Sequence, residues 1–181
     1  MKLVILDRDG VINYDSDVYI KSPEEWIPIP GSLEAIARLT QSGFTVTVAT
    51  NQSGVARGLF DRATLESIHR KMTAAAEAKG GRLAGIFYCP HGPDDRCDCR
   101  KPKPGLLRQI EKHFGQSLTD VPSVGDSLRD LQAAQAVNAR PILVCTGKGK
   151  ETLQQMSNNQ HVEVFADLAA TADFLIQEQR R

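Results

Sequence analysis

Residues Lys2 to Leu6 form a short apolar, β-branched run, and directly after it come Asp7, Arg8 and Asp9, with Gly10 free to turn the chain. Two carboxylates are thereby presented at the end of a predicted strand. Further along, Thr50 and Asn51 close a second such run, Gly125 and Asp126 close a third, and Asp130 follows one helical turn later. Lys101 sits in a loop after another predicted strand. Carboxylates with a hydroxyl, an amide and a lysine are the groups phosphoryl transfer uses. Mg²⁺ takes oxygen ligands from a few carboxylates, and donors neutralise the charge on the phosphoryl oxygens. One carboxylate can attack phosphorus, and a second can pass protons to the leaving oxygen and from water.

Each group also has a blander reading. Asp-x-Asp-Gly after a strand is equally an Asx turn. Ser127-x-x-Asp130 fits a capping box, which leaves Asp130 between a structural and a functional role. Lys101 alone is compatible with a solvated charge. The functional reading gains from all four strand ends carrying suitable groups together, since the C-terminal ends of parallel strands share one rim.

A second cluster lies in a 15-residue loop. Cys89-Pro90-His91 and Cys97-Asp98-Cys99 offer three thiolates and an imidazole, a donor set for a closed tetrahedral zinc site. Four such ligands leave no open position, so this zinc is expected to staple the loop and to fix Arg100 and Lys101 after it. Cys145 reads as a small buried hydrophobe. Gly147-Lys148-Gly149-Lys150 lacks Walker A spacing and reads as a mobile turn. His69, His113 and His161 show no ligand spacing.

The elements that must position these groups alternate between strand and helix. Strands are expected at Lys2 to Leu6, Thr45 to Thr50, Gly85 to Tyr88, Val121 to Gly125, Pro141 to Val144 and Val162 to Phe165. Between them fall helical apolar spacings. One helix is capped by Ser32 and stopped by Gly43, another is capped by Asp61 and stopped by Gly80 and Gly81, others carry Leu106 to Phe114 and Leu128 to Gln135, and a terminal one runs Leu168 to Gln179. The polar, proline-punctuated stretch Tyr14 to Pro30, with Trp26, reads as an irregular flap over the strand end rather than a core element. The pattern predicts an α/β fold, a parallel sheet with helices on both faces, in a single domain spanning residues 1–181.

Bulk composition excludes several classes. Lys+Arg and Asp+Glu both number 22, so no net charge steers the chain to nucleic acid or an anionic membrane. No 18-residue apolar run and no signal-peptide pattern occur, so a cytoplasmic location is expected. Three cysteines within eleven residues favour metal over disulfide in that reducing setting.

Leu6-Asp7-Arg8-Asp9-Gly10-Val11-Ile12-Asn13, Thr50-Asn51-Gln52-Ser53 on to Gly58, Cys97-Asp98-Cys99-Arg100-Lys101-Pro102 and Gly125-Asp126-Ser127-Leu128-Arg129-Asp130 together resemble the motifs of the haloacid dehalogenase superfamily. The resemblance implies a Rossmann-like three-layer domain without a large cap and a Mg²⁺-dependent phosphatase of a small-molecule sugar phosphate. It implies Asp7 as nucleophile, Asp9 as general acid and base, and Thr50 and Lys101 on the phosphoryl group. Mg²⁺ would be held by Asp7, Asp9 through its carbonyl, and Asp126, and substrate by Asn51, Gln52, Ser53, Arg57 and Arg100. The Ser53 to Gly58 segment looks more like enzymes that take a heptose bisphosphate; histidinol phosphate is the alternative substrate. Structural zinc is implied at Cys89, His91, Cys97 and Cys99, and a monomer is expected.

Overall fold

The computed structural model describes residues 1–156 and 162–180; the expected position of His161 lies outside them. Among the described residues six strands form one sheet: β1 (Lys2–Leu6), β2 (Phe44–Asn51), β3 (Leu83–Cys89), β4 (Pro122–Gly125), β5 (Arg140–Val144) and β6 (Glu163–Phe165). Their order is β3-β2-β1-β4-β5-β6, and every pairing is parallel. The order reverses between β1 and β4. A crevice opens there at the carboxyl ends of the strands, where open α/β sheets place their ligands.

β1 shows why its sequence is almost wholly apolar. Val4 and Leu6 face one buried cluster and Leu3 and Ile5 the other, so the strand is covered on both sides. The first cluster is closed by α1 (Ser32–Gln41), α2 (Arg62–Ala78) and α6 (Leu168–Glu178). The second is closed by α3 (Gly105–Phe114) and α4 (Leu128–Gln135). The three-layer architecture expected from the alternation is therefore present. A sixth, short helix, α5 (Gly149–Gln155), is not among the five expected from the sequence.

Three local expectations need correction. Ser32 does not cap α1: Gly31 is the N-cap residue in a left-handed conformation, and the Ser32 hydroxyl donates instead to the Ile12 carbonyl at 2.6 Å. The stretch from Tyr14 to Pro30 is irregular apart from the 3₁₀ turn Pro23–Glu25, but it is not outside the core. Trp26 is 1% exposed and Ile20 and Ile29 are buried, while the Lys71 ammonium from α2 donates to the carbonyls of Pro23 and Trp26. Burying an indole and two isoleucines outweighs the proline-rich local signal. The Gly147 to Lys150 segment is also not a loose turn; it runs into α5 and touches the site described next. Asp61, by contrast, caps α2 as expected, accepting from the Thr64 N–H at 2.8 Å.

Candidate active site

Asp7 leaves the end of β1 with its N–H bonded to the Val124 carbonyl of β4 at 2.9 Å, so its carboxylate stands at the switch point. Lys101 reaches it from the cysteine loop. The ammonium lies 3.0 Å from Asp7 Oδ1 and 2.6 Å from Asp130 Oδ1, and it donates to the Ala49 carbonyl at 2.7 Å. Lys101 is 4% exposed, so the solvated reading does not hold. Burial works against its charge, but the carboxylates of Asp130 and Asp7 outweigh it and raise its proton affinity.

The carboxylates divide by environment. Burial pushes Asp7 well above the ordinary carboxylate range, with Asp130 adding to the push and Lys101 opposing it. Burial likewise raises Asp126 to about 7, helped by the charge of Asp130. Asp130 is equally buried, but Lys101 and the Ser127 donors overcome that and hold it low. Its Oδ2 accepts from the N–H groups of Asp126 and Ser127 and from the Ser127 hydroxyl, so the capping box is formed. With Oδ1 on Lys101, both oxygens are engaged. Asp130 is therefore at once helix cap and lysine partner.

Asp7, Asp126 and Asp130 each bring an oxygen within 4.8 Å of the others, a hard donor set suited to Mg²⁺. Since Asp130 is committed elsewhere, Asp7 and Asp126 are the carboxylates with ligand capacity to spare. Asp126 is braced from the segment after β5. The Lys148 N–H donates to its Oδ2 at 2.8 Å, and Thr152 Oγ1 to its carbonyl at 2.7 Å. Gly10 and Gly147 pack around the same carboxylate at positive φ, and a Cβ on either would strike Asp126 Oδ2.

Asp9 points its carboxylate sideways into a ring of donors. The Arg8 Nε and Nη2 atoms reach its two oxygens at 3.0 and 3.1 Å, Asn13 Nδ2 donates at 2.8 Å and Gln52 Nε2 at 2.9 Å. Gln52 Nε2 also lies 3.0 Å from Thr50 Oγ1, which ties β2's end to β1's. Asn51 has both amide atoms on the Lys101 backbone at 3.0 Å and so fixes that residue's main chain.

These groups line a cleft of about 360 Å³. Of the residues expected at the site, Asp7, Asp9, Thr50, Asn51, Gln52, Ser53, Arg57, Arg100, Lys101, Asp126 and Asp130 all border it. Sequence reading missed Arg129 and Lys148, and left the flap residues Asp15, Ser16, Asp17, Tyr19 and Ile20 unassigned. The flap is tied down across the cleft: Lys148 Nζ lies 3.6 Å from Asp15, and the Arg57 guanidinium sits 5.9 Å from the centre of the Tyr19 ring. No periodicity could have signalled these contacts, because they join segments more than 35 residues apart.

The cysteine loop folds its four donors inward. Cys89 Sγ is 3.8 Å from Cys97 Sγ, 3.6 Å from His91 Nδ1 and 2.9 Å from Cys99 Sγ, and all four donor atoms lie within 4.8 Å of one another. Zn–S bonds of ~2.3 Å at tetrahedral angles put sulfurs about 3.8 Å apart, so the cluster fits zinc with a small adjustment at Cys99. All four cysteines are free thiols. Crowding shows in Cys99, whose thiol burial and the neighbouring thiols push up to about 12. The Arg100 Nη1 atom, just beyond, is 3.5 Å from the His91 carbonyl.

A parallel sheet with this rim is that of a haloacid dehalogenase-type hydrolase, and the HAD-hydrolase-like family model matches residues 98–171. The chain is 59% identical over 98% of its length, and 99% of the relative's, to a D-glycero-beta-D-manno-heptose-1,7-bisphosphate 7-phosphatase of Bordetella bronchiseptica. It is 58% identical over 97% of its length to the enzyme of that name from Pseudomonas putida, matching all of it. The crystal structure of a D,D-heptose 1,7-bisphosphate phosphatase from B. bronchiseptica, complexed with magnesium and phosphate, superposes with a TM-score of 0.96 at 59% identity, covering 98% of this chain and 99% of that one. The chain belongs to the D-glycero-D-manno-heptose 1,7-bisphosphate 7-phosphatase family of the haloacid dehalogenase superfamily.

Proposed function

We propose that this protein is a Mg²⁺-dependent phosphomonoesterase that removes the 7-phosphate of D-glycero-D-manno-heptose 1,7-bisphosphate, in the route to the heptose of surface polysaccharide. The observation that carries the reading is likeness along the whole chain, 59% identity over 98% of it, to an enzyme of that name. The site geometry supports the chemistry.

Asp7 attacks phosphorus, forming its Oδ–P bond as the bond from phosphorus to the sugar oxygen breaks. Asp9 gives that oxygen its proton, then takes one from the water that cleaves the aspartyl-phosphate, releasing phosphate and restoring Asp7. Thr50 and Lys101 donate to the phosphoryl oxygens as charge develops there. Lys101 also opposes the burial that favours a protonated Asp7. Mg²⁺ held by Asp7, the Asp9 carbonyl and Asp126 supplies the remaining positive charge at these oxygens. Asn51, Gln52, Ser53, Arg57 and Arg100 meet the sugar and its second phosphate, and Cys89, His91, Cys97 and Cys99 would hold a zinc ion that would fix Arg100 and Lys101 in place.

No helix among the described residues is long and apolar enough to cross a membrane. We place the enzyme in the cytoplasm as a monomer of one domain, residues 1–181. Phosphate release with Mg²⁺ across heptose bisphosphate, fructose bisphosphate and histidinol phosphate tests the reading. Heptose bisphosphate is expected to give the highest kcat/KM, and a preference for histidinol phosphate would overturn it.

A further inference from the structure

Beneath Asp9, on the side away from the cleft, lies a charged side chain for which the mechanism above has no use. Arg8 is fully buried, and its guanidinium does not border the cleft; it extends toward α2. Nε and Nη2 fork onto both oxygens of Asp9, and Nη1 lies 3.3 Å from Nε2 of His69, which is itself 7% exposed. A guanidinium has no lone pair to offer, so Nε2 accepts and the imidazole proton sits on Nδ1. The imidazole is held in turn by α2 and by Tyr88 of β3, whose ring centre is 5.7 Å away.

Stability alone does not call for such an arrangement. Burying an ion pair is about neutral against apolar packing of the same volume. What a two-pronged donor achieves is orientation: to turn its plane, the Asp9 carboxylate must break both bonds together. Asn13 and Gln52 complete the ring, and Gln52 links the same carboxylate to the Thr50 hydroxyl, so the edge of Asp9 is set relative to the group that faces the phosphoryl oxygens.

We propose that Arg8 and His69 are positioning residues: the Arg8 fork sets the plane of the Asp9 carboxylate from behind, and His69 sets the fork. The inference rests on reading Asp9 as the proton donor, and it names a residue of α2, sixty positions along the chain, as part of the machinery of β1.

The test uses the dependence on leaving group. A sugar alkoxide must receive a proton as the P–O bond breaks, whereas p-nitrophenolate leaves without one. Single-turnover release of the leaving group is measured for heptose bisphosphate and for p-nitrophenyl phosphate. His69→Leu is expected to slow release of the sugar by about tenfold or more, as small misplacement of a catalytic group does, with KM little changed. Release of p-nitrophenolate should stay within about twofold of wild type, and His69→Gln, which restores an acceptor, should recover most of the sugar rate. Equal losses for both esters, no loss for either, or a Gln variant as slow as Leu would overturn the proposal. Should the Leu variant not fold, Arg8→Lys decides: it keeps the buried charge but not the fork, and a wild-type rate on the sugar ester refutes the idea. Asp9→Asn is the reference. If it does not itself discriminate between the esters, the reading of Asp9 fails; if it does and the His69 and Arg8 variants do not, only this inference fails.

Discussion

Replacing Lys101 by methionine keeps the length of the side chain and deletes its charge. In the folded protein this leaves Asp7 and Asp130, whose oxygens lie within 4.8 Å of each other, without the ammonium that stands 3.0 and 2.6 Å from them. Two consequences follow and they are separable. Removing one partner of a buried ion pair destabilises by about 3–5 kcal/mol, which for a chain of this size lowers Tm by roughly 6–20 °C. Removing a donor to the transition-state oxygens slows turnover by about 10²–10³.

The stability loss carries a pH signature. Lys101 holds Asp130 below its ordinary range, so the stability that pair contributes is present above the unfolded carboxylate value near 3.8 and is lost as pH falls through the still lower folded value. In Lys101→Met the orphaned Asp130 rises instead and Asp7, already high, rises further, so both take up protons as the solution is acidified, and the Tm deficit should be large at pH 7 and shrink toward pH 4. Adding Asp130→Asn removes the stranded charge, while the amide oxygen still accepts from Ser127. The double variant should regain most of the Tm and none of the rate. Thermal melts at pH 7, 5 and 4, with phosphate release at saturating substrate and Mg²⁺, read both. A single variant within about threefold of the wild-type rate would return Lys101 to a purely structural role. A double variant that recovers rate together with Tm would show that folding, not transition-state charge, was lost.

Three other outcomes are expected. Asp7→Asn should melt as the wild type does or slightly higher, since burial disfavours the charge it removes, and should release no phosphate; measurable turnover refutes the nucleophile assignment. Metal analysis should find about one zinc per chain, and its removal, or Cys97→Ser, should loosen residues 89–103 and cut activity; full activity in zinc-free protein would end the stapling role. His69, depressed to about 3 by burial and then by Arg8, stays neutral when folded while its unfolded counterpart protonates below about 6.5, so acid favours unfolding. Relative to His69→Gln, the wild type should lose about 3 kcal/mol of stability between pH 7 and pH 4, and parallel urea-unfolding curves for the two proteins across that range would contradict this.

The residues of the cleft were legible in the chain because their signal is local. Asp7 and Asp9 follow an apolar run that only a doubly covered strand would have, and Thr50, Asp126 and the Cys-x-His and Cys-x-Cys pairs are likewise read within a few residues of an element's end. Parallel topology then requires the strand ends to meet at one rim. What each side chain does once there was not legible. Asp130 could be cap or partner until folding placed Lys101 beside its free oxygen, and it is both. Trp26 looked like flap until the core closed over it. Lys148 looked like part of a turn until its N–H met Asp126, and Arg8 had no role assigned to it until α2 brought His69 behind it. Local sequence determines which groups a strand end carries. Burial and the partners brought by distant segments set charge state and orientation, and those depend on contacts that only the closed tertiary structure makes.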